Sequence, residues 1–335
     1  MERGPRLEAT YEAPPNIALV KYWGDRDRER AIPYNSSISV TLDRLRSRTT
    51  VRFEPDLSDD RVVLNGEGAT GGPRDSVVRF LDRVREMAHV TDRAEVRSRN
   101  NFPTASGLAS SASGFAALAG AATAALGMTL SGRELSRLAR FGSGSASRSV
   151  FGGFVEWRAG VRPDGGDCDA RSLYGPGHWP SLVDLVLIVK AAPVKAVRSA
   201  DAMQATVATS PTYARRLAEL PGRIRKIRAA IGARDARRLF PLVMEECDSF
   251  RDVCETTRPS LDYLTTTSRA LLAEVRSINR DAGRPVAAYT HDAGAHLHIF
   301  TLARDAPKVR RRLSGLPGVE RTMLLHPGPG GRLVG

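Results

Sequence analysis

Apolar and polar positions alternate through the first fifth of the chain. SSISVTLD (36–43), RTTVRFEP (48–55) and DRVVLNG (60–66) change face at every residue between polar turns, which predicts half-buried strands. The period then lengthens. In GPRDSVVRFLDRVREMAHV (72–90), Val77, Phe80, Leu81, Val84 and Met87 recur at helical spacing. A short strand, AEVRSRNNFP (94–103), runs into NFPTASGLASSASGFAALAG (101–120), which is almost entirely small residues. It predicts a helix over 108–127, buried on most sides and ended by Gly127. SGRELSRLARFGSG predicts a second helix, with Ser131 as N-cap and Glu134 three residues on forming a capping box, and GGFVEWRAG a strand.

DLVLIVKAAP (184–193) is an apolar strand that opens a second half. Helical spacing follows over about 200–218, 222–233, 235–256 and 260–281, before PVAAYTHDAGAHLHIFTLA (285–303) returns to strand. The last helix falls near 305–314, and HPGPGGRLVG reads as a loose tail. This order predicts an α+β fold with two interlocked halves, 1–183 and 184–335, rather than a regularly alternating doubly wound sheet.

Composition narrows the class. A content of 41% hydrophobic and 26% charged residues is that of a soluble globular protein. No apolar stretch has membrane-spanning length and the opening MERGPRLEAT lacks an apolar core, so a cytoplasmic address is expected. Cys168, Cys247 and Cys254 are odd in number and show no zinc spacing, which fits a reducing compartment. His296 and His298 share a face of the expected strand, with His291 nearby, but no third ligand for a metal stands beside them. The net charge of +13 comes almost wholly from arginine, with 45 Arg to five Lys. These bases are spread along the chain with local clusters at 44–48, 215–228 and 309–312, and a nucleic-acid partner is not expected.

Four stretches carry candidate chemistry. In PTASGLASSASG (103–114), a glycine- and serine-rich loop enters a helix whose unpaired N–H groups and partial positive charge suit a polyphosphate. No Gly-Lys-Ser/Thr follows, so this is not the Walker A loop. FGSGSASRSVFGG (141–153) repeats that character and adds Arg148, a fork for a carboxylate or phosphate. In PPNIALVKYWGDRD (14–27), Lys21, Tyr22 and Trp23 follow an apolar strand, and in THDAGAH (290–296) Asp292 precedes a glycine turn.

Taken together these stretches resemble the GHMP kinase superfamily, and within it the mevalonate diphosphate decarboxylases. PTASGLASSAS is similar to the superfamily phosphate loop. NIALVKYWG, PYNSSISVTLD, GSGSASRSVFGGFVEW and YTHDAGA are similar to the narrower family, and the likeness runs from about residue 10 to 305. It implies a two-domain α+β GHMP kinase-like fold, with a ribosomal-protein-like N-terminal half, an α/β sandwich C-terminal half and a central cleft. It implies ATP-dependent phosphorylation of the 3-hydroxyl of a 5-phosphorylated mevalonate, then loss of phosphate and CO2, with ATP and magnesium as cofactors and a homodimer as assembly.

By the same resemblance Asp292 is the general base, Arg148 holds the substrate carboxylate, and Lys21 completes the catalytic set. Asn16, Tyr22, Asp25, Ser145 and Ser199 line the substrate side. Ser106, Gly107, Leu108, Ala109, Ser110 and Ser111 cradle the ATP phosphates; the magnesium ligands stay unassigned.

Three departures bear on the substrate. Where the family usually reads Lys-Tyr-Trp-Gly-Lys-Arg-Asp, this chain has Asp25 in place of the second lysine. RSADAM puts Ala200 where a phosphate donor is frequent, and Ala-Gly-Ala-His stands for Ala-Gly-Pro-Asn after Asp292. A carboxylate beside a terminal phosphate costs about 1 kcal/mol or more at ~4 Å even in high dielectric. The departures therefore favour 5-phosphomevalonate giving isopentenyl phosphate. The alternatives are the diphosphate, with Arg26 or Arg198 compensating, and a 3-kinase that does not decarboxylate.

Overall fold

The computed structural model describes residues 7–102, 110–190 and 198–334. The N-terminal half begins with β1 (Leu7–Ala13), the buried β2 (Asn16–Val20), and a short hairpin of β3 (Asp25–Asp27) and β4 (Ile32–Pro33). Next come β5 (Ser37–Thr41), β6 (Ser47–Glu54), β7 (Arg61–Leu64) and β8 (Glu67–Gly68). Helix α1 (Gly71–Ala88), β9 (Arg93–Asn100), α2 (Ser110–Ala125), α3 (Gly132–Ala139), α4 (Ala146–Ser149), β10 (Phe154–Trp157) and β11 (Ala170–Tyr174) complete it.

The second half runs through β12 (Leu182–Val189), α5 (Ser199–Thr209), α6 (Tyr213–Gly232), α7 (Ala236–Glu255) and α8 (Thr266–Asp281). It closes with β13 (Ala287–Thr290), β14 (Leu297–Leu302), α9 (Ala306–Ser314), β15 (Val319–Leu325) and β16 (Arg332–Val334).

Strand alternation appears as expected. In β6, Ser47, Thr49, Val51 and Phe53 face inward. The sheets run β16-β1-β6-β9-β7-β8, β11-β10-β5-β2 and β13-β14-β12-β15. Helix α2 lies on the first sheet, and its small residues let it approach closely: a Cβ on Gly120 would fall 2.4 Å from the Tyr11 ring. Small side chains here thus serve packing as well as the helix start. Strand β12 is buried at every position, as its apolar run requires of a central strand.

Four expectations need correction. Met87 is 44% exposed, because α1 ends at Ala88 and its core face stops at Val84 and Arg85. The second-half helices break at Ser210–Thr212, around Pro211, and not at Leu220–Pro221; Pro221 sits inside α6. The stretch 260–265 is non-helical and α8 starts at Thr266, capped by Thr265, whose side chain accepts from the Ser268 N–H. The tail is not loose. Residues 328–331 pack against the 150–153 turn, where a Cβ on Gly152 would lie 2.6 Å from Gly330 N, and β16 pairs with β1.

One apolar core is shared by both halves. Ile17, Leu19 and Val40 from the first half pack with Val186, Leu239, Phe240 and Val243 from the second. The end of β2 is therefore carried against α7 and the β13–β14 turn. No described helix is long and apolar enough to cross a membrane.

Candidate active site

The β2–β5 ladder is irregular between Ala18 and Val20, so Lys21 lies beyond the strand pairing. Its side chain, 3% exposed, reaches the β13–β14 turn, where Nζ donates to Asp292 Oδ1 at 2.8 Å. The Asp292 side chain stays 29% exposed, and among the described residues its Oδ2 has no hydrogen-bond partner. Burial pushes the Asp292 carboxyl up, but the Lys21 ammonium, its hydrogen bond and the charge of Arg148 together outweigh this and hold it below the ordinary value. Next to it His291 Nδ1 donates to the Asp292 carbonyl at 2.7 Å. Burial, reinforced by Lys21, lowers the His291 pKa to about 4, so the ring is neutral.

Arg148, in α4, is buried. Its Nε donates to Asn16 Oδ1 at 3.0 Å and Nη1 to Ser37 Oγ at 2.6 Å. Asn16 Nδ2 in turn donates to the Ser145 carbonyl at 3.1 Å and to Ser149 Oγ at 2.8 Å. Two edges of the guanidinium are thereby fixed, and Nη2 has no partner among the described residues. Burial lowers the Arg148 pKa to about 10, against the pull of Asp292 and Tyr22, so it remains a cation at neutral pH. Ammonium, carboxylate and guanidinium together suit the binding of a hydroxy acid.

Tyr22 forms the neighbouring wall, edge-on to Trp157 at 4.8 Å between centroids. Its Oη donates to Asp25 Oδ1 at 2.6 Å. Burial is the main reason the Asp25 pKa rises to about 6, with Tyr22 and Arg28 pulling the other way. This corrects the picture of Asp25 as a bare charge aimed at a phosphate: its carboxylate is buried and engaged by the tyrosine. The two proposed compensators are also placed elsewhere. Arg26 Nη2 donates to the Ala159 and Gly160 carbonyls at 3.2 and 3.0 Å, and Arg198 Nη2 meets Ser76 Oγ at 3.5 Å. Ser199 opens α5 one residue beyond Arg198.

Ser110 and Ser111 open α2. Ser106, Gly107, Leu108 and Ala109 lie outside the described residues. Ser111 Oγ stands 3.5 Å from Ser143 Oγ, itself 3.2 Å from Ser145 Oγ, so the two glycine-serine stretches meet. A Cβ on Gly142 would fall 2.0 Å from the Phe115 ring, which makes this turn part of the α2 packing. A helix N-terminus lined with hydroxyls and no carboxylates fits an anionic polyphosphate.

Several supporting residues escape a sequence reading. Ser37 lies in the predicted strand 36–43 and Asn35 just before it, but alternation marks neither as a support for the site. Glu246 is fully buried on α7 and accepts from the Lys21 backbone N–H at 2.9 Å. In EEC a glutamate reads as a solvated helix face; the only hint is the pair of arginines, Arg216 and Arg223, seven residues apart on the preceding helix. His298 Nδ1 meets Asp184 Oδ2 at 2.6 Å, and His296 Nδ1 accepts from the Val189 N–H at 3.2 Å.

Residues 13–170 match a family described as diphosphomevalonate decarboxylase-like N-terminal domain, and 184–322 one described as mevalonate 5-diphosphate decarboxylase C-terminal domain. The chain is similar to the diphosphomevalonate decarboxylase of Ganoderma lucidum, 42% identical over 313 residues, covering 88% of this chain and 78% of that one. Among solved structures it resembles one described as MDDEF in complex with MVAPP, AMPPCP and magnesium, with a TM-score of 0.92, 36% identity and coverage of 98% and 99%. Mevalonate diphosphate decarboxylase from Staphylococcus aureus gives a TM-score of 0.92 at 34% identity, covering 98% of both chains.

Proposed function

The chain belongs to the diphosphomevalonate decarboxylase family of ATP-dependent carboxy-lyases, and from that premise we propose that it converts 5-diphosphomevalonate and ATP to isopentenyl diphosphate, ADP, phosphate and CO2. The observation that carries this reading is the Lys21–Asp292 ion pair, with its carboxylate partly exposed and the fixed guanidinium of Arg148 near enough to feel its charge. The preference for the monophosphate is withdrawn. It rested on Asp25 facing a phosphate, whereas Asp25 is held by Tyr22, and relatives at 40–42% identity are named for the diphosphate. A cytoplasmic address and a homodimer complete the proposal.

Lys21 keeps Asp292 ionised. Asp292 Oδ2 then accepts the hydrogen bond of the substrate 3-hydroxyl, orients its oxygen at the γ-phosphorus of ATP, and takes its proton as the new P–O bond forms and the γ-phosphorus parts from the bridging oxygen of the leaving ADP. A carboxylate this acidic is a weak base, so its main contributions are orientation and acceptance of a proton late in the transfer. Phosphorylation turns a poor leaving group into a good one. Arg148 holds the substrate carboxylate through Nη2. When the phosphate departs with the C–O bonding pair, the electrons of the carboxylate C–C bond form the alkene and CO2 leaves.

Ser110, Ser111 and Ser143 border the proposed phosphate site. Among the described residues no three His, Cys, Asp or Glu side chains come together as a metal nest. Magnesium would therefore be held through phosphate oxygens and these hydroxyls, where it neutralises phosphate charge.

The test is stoichiometry. CO2 and ADP released one to one from 5-diphosphomevalonate support the proposal. ADP with a 3-phosphorylated product and no CO2 would make the chain a 3-kinase.

A further inference from the structure

We infer that Glu246 is a positioning residue for the reaction, setting the place of Lys21 from the opposite half of the molecule. The inference rests on the reading of Lys21 and Asp292 given above.

The argument starts from backbone polar groups. The β2–β5 ladder shifts register after Ala18 and stops at the Val20–Ile38 pair, so among the described residues the buried main chain of Lys21 has no strand partner for either group. Buried N–H and C=O groups must be paired. Side chains pair both. Glu246 Oε1 accepts from the Lys21 N–H at 2.9 Å, and Asn35 Nδ2 donates to the Lys21 carbonyl at 2.9 Å. The peptide groups on either side of the Lys21 Cα are thereby clamped, one from α7 and one from the approach to β5.

Glu246 is itself immobilised. It is fully buried, and its carboxylate receives Arg216 Nη2 at 2.5 Å, Arg216 Nη1 at 3.2 Å and Arg223 Nη1 at 2.9 Å. Arg216 also reaches Ser249 Oγ at 3.1 Å, and Arg223 reaches Glu245 at 2.7 Å and Glu219 at 3.2 Å. Stability alone would be served as well by apolar packing, because a buried ion pair does little better than matched hydrophobic residues. An apolar residue could not, however, receive the Lys21 N–H. The charge array thus fixes one bond donor whose side chain, a few ångströms on, meets Asp292.

The experiment uses the full-length enzyme with ATP, magnesium and 5-diphosphomevalonate, and measures kcat and KM well below the melting temperature. Glu246→Asp keeps the charge between the two arginines but withdraws the acceptor from Lys21 by one methylene. Glu246→Gln keeps an acceptor but places an amide donor among donors. Glu245→Gln is the control, since Glu245 pairs with Arg223 and does not touch Lys21.

An error of ~1 Å at a reacting group costs about a hundredfold, so Glu246→Asp is expected to lower kcat about tenfold or more, with KM for ATP within about twofold. Glu245→Gln is expected to keep kcat. If Glu246→Gln fails to fold, Glu246→Asp decides alone. Unchanged kcat in Glu246→Asp, whatever its melting temperature, overturns the inference. Asp292→Asn separates the two layers: full activity in that variant overturns the underlying reading instead.

Discussion

Lys21 and Asp292 act as one unit, in which the ammonium sets the charge state of the carboxylate. Asp292→Asn should lower kcat by about 10²–10⁴-fold, the range for loss of a general base. Lys21→Met removes the group that holds Asp292 down, while burial still pushes it up. The active ionised form is then lost at higher pH, so the acid limb of the kcat profile should move upward relative to wild type. Asp25 works in the opposite sense. Its folded pKa of about 6 exceeds the ordinary 3.8, so ionising it opposes folding as the pH rises through that interval. Asp25→Asn should therefore stabilise the protein by about 3 kcal/mol at pH 7.5 and by nothing below pH ~4, read as denaturation midpoints at the two pH values. At this scale the candidate residues were legible, because Lys21, Arg148 and Asp292 stand in distinctive local motifs, and the structure brings Lys21 and Asp292 into contact. Their supports were not legible. Glu246 and Ser37 act through tertiary contacts more than 100 residues away along the chain, which local patterning does not encode.

Helix α2 combines close packing with the border of the proposed phosphate site. Its small residues bring it onto β1 and β6, and its start lies beside the Ser143–Ser145 turn. Gly142→Ala would drive a methyl group into Phe115 and shift that turn against the helix. The expected result is a loss of about 1–3 kcal/mol in stability with a raised KM for ATP, read by thermal denaturation and steady-state kinetics. Strongly periodic elements were legible, as α1 and the Ser131–Glu134 capping box of α3 show. Breaks were harder. Pro221 reads as a helix terminator but lies within α6, where tertiary packing of Leu220 and Ile224 outweighs the lost hydrogen bond. The glycine-rich tail reads as loose because its order comes from close backbone contact with 150–153, which no side-chain pattern announces.

Across the whole molecule, the two halves share a core and exchange polar ties, of which Lys21–Asp292, Lys21–Glu246 and Arg228–Glu156 are three. The groups proposed to react are thus assembled between halves, Arg148 and Lys21 from the first and Asp292 from the second. The motif order already pointed to that assembly and to ATP-dependent decarboxylation. The sequence reading leaned toward the monophosphate, against the relatives named for the diphosphate, because a lysine-to-aspartate difference shows its sign in sequence but not its partner. The most direct measurement is ADP release by the purified protein with ATP and magnesium, comparing mevalonate, 5-phosphomevalonate and 5-diphosphomevalonate, with products identified by mass. The account predicts the highest kcat/KM for 5-diphosphomevalonate and isopentenyl diphosphate as product. Preferential turnover of 5-phosphomevalonate to isopentenyl phosphate would contradict it.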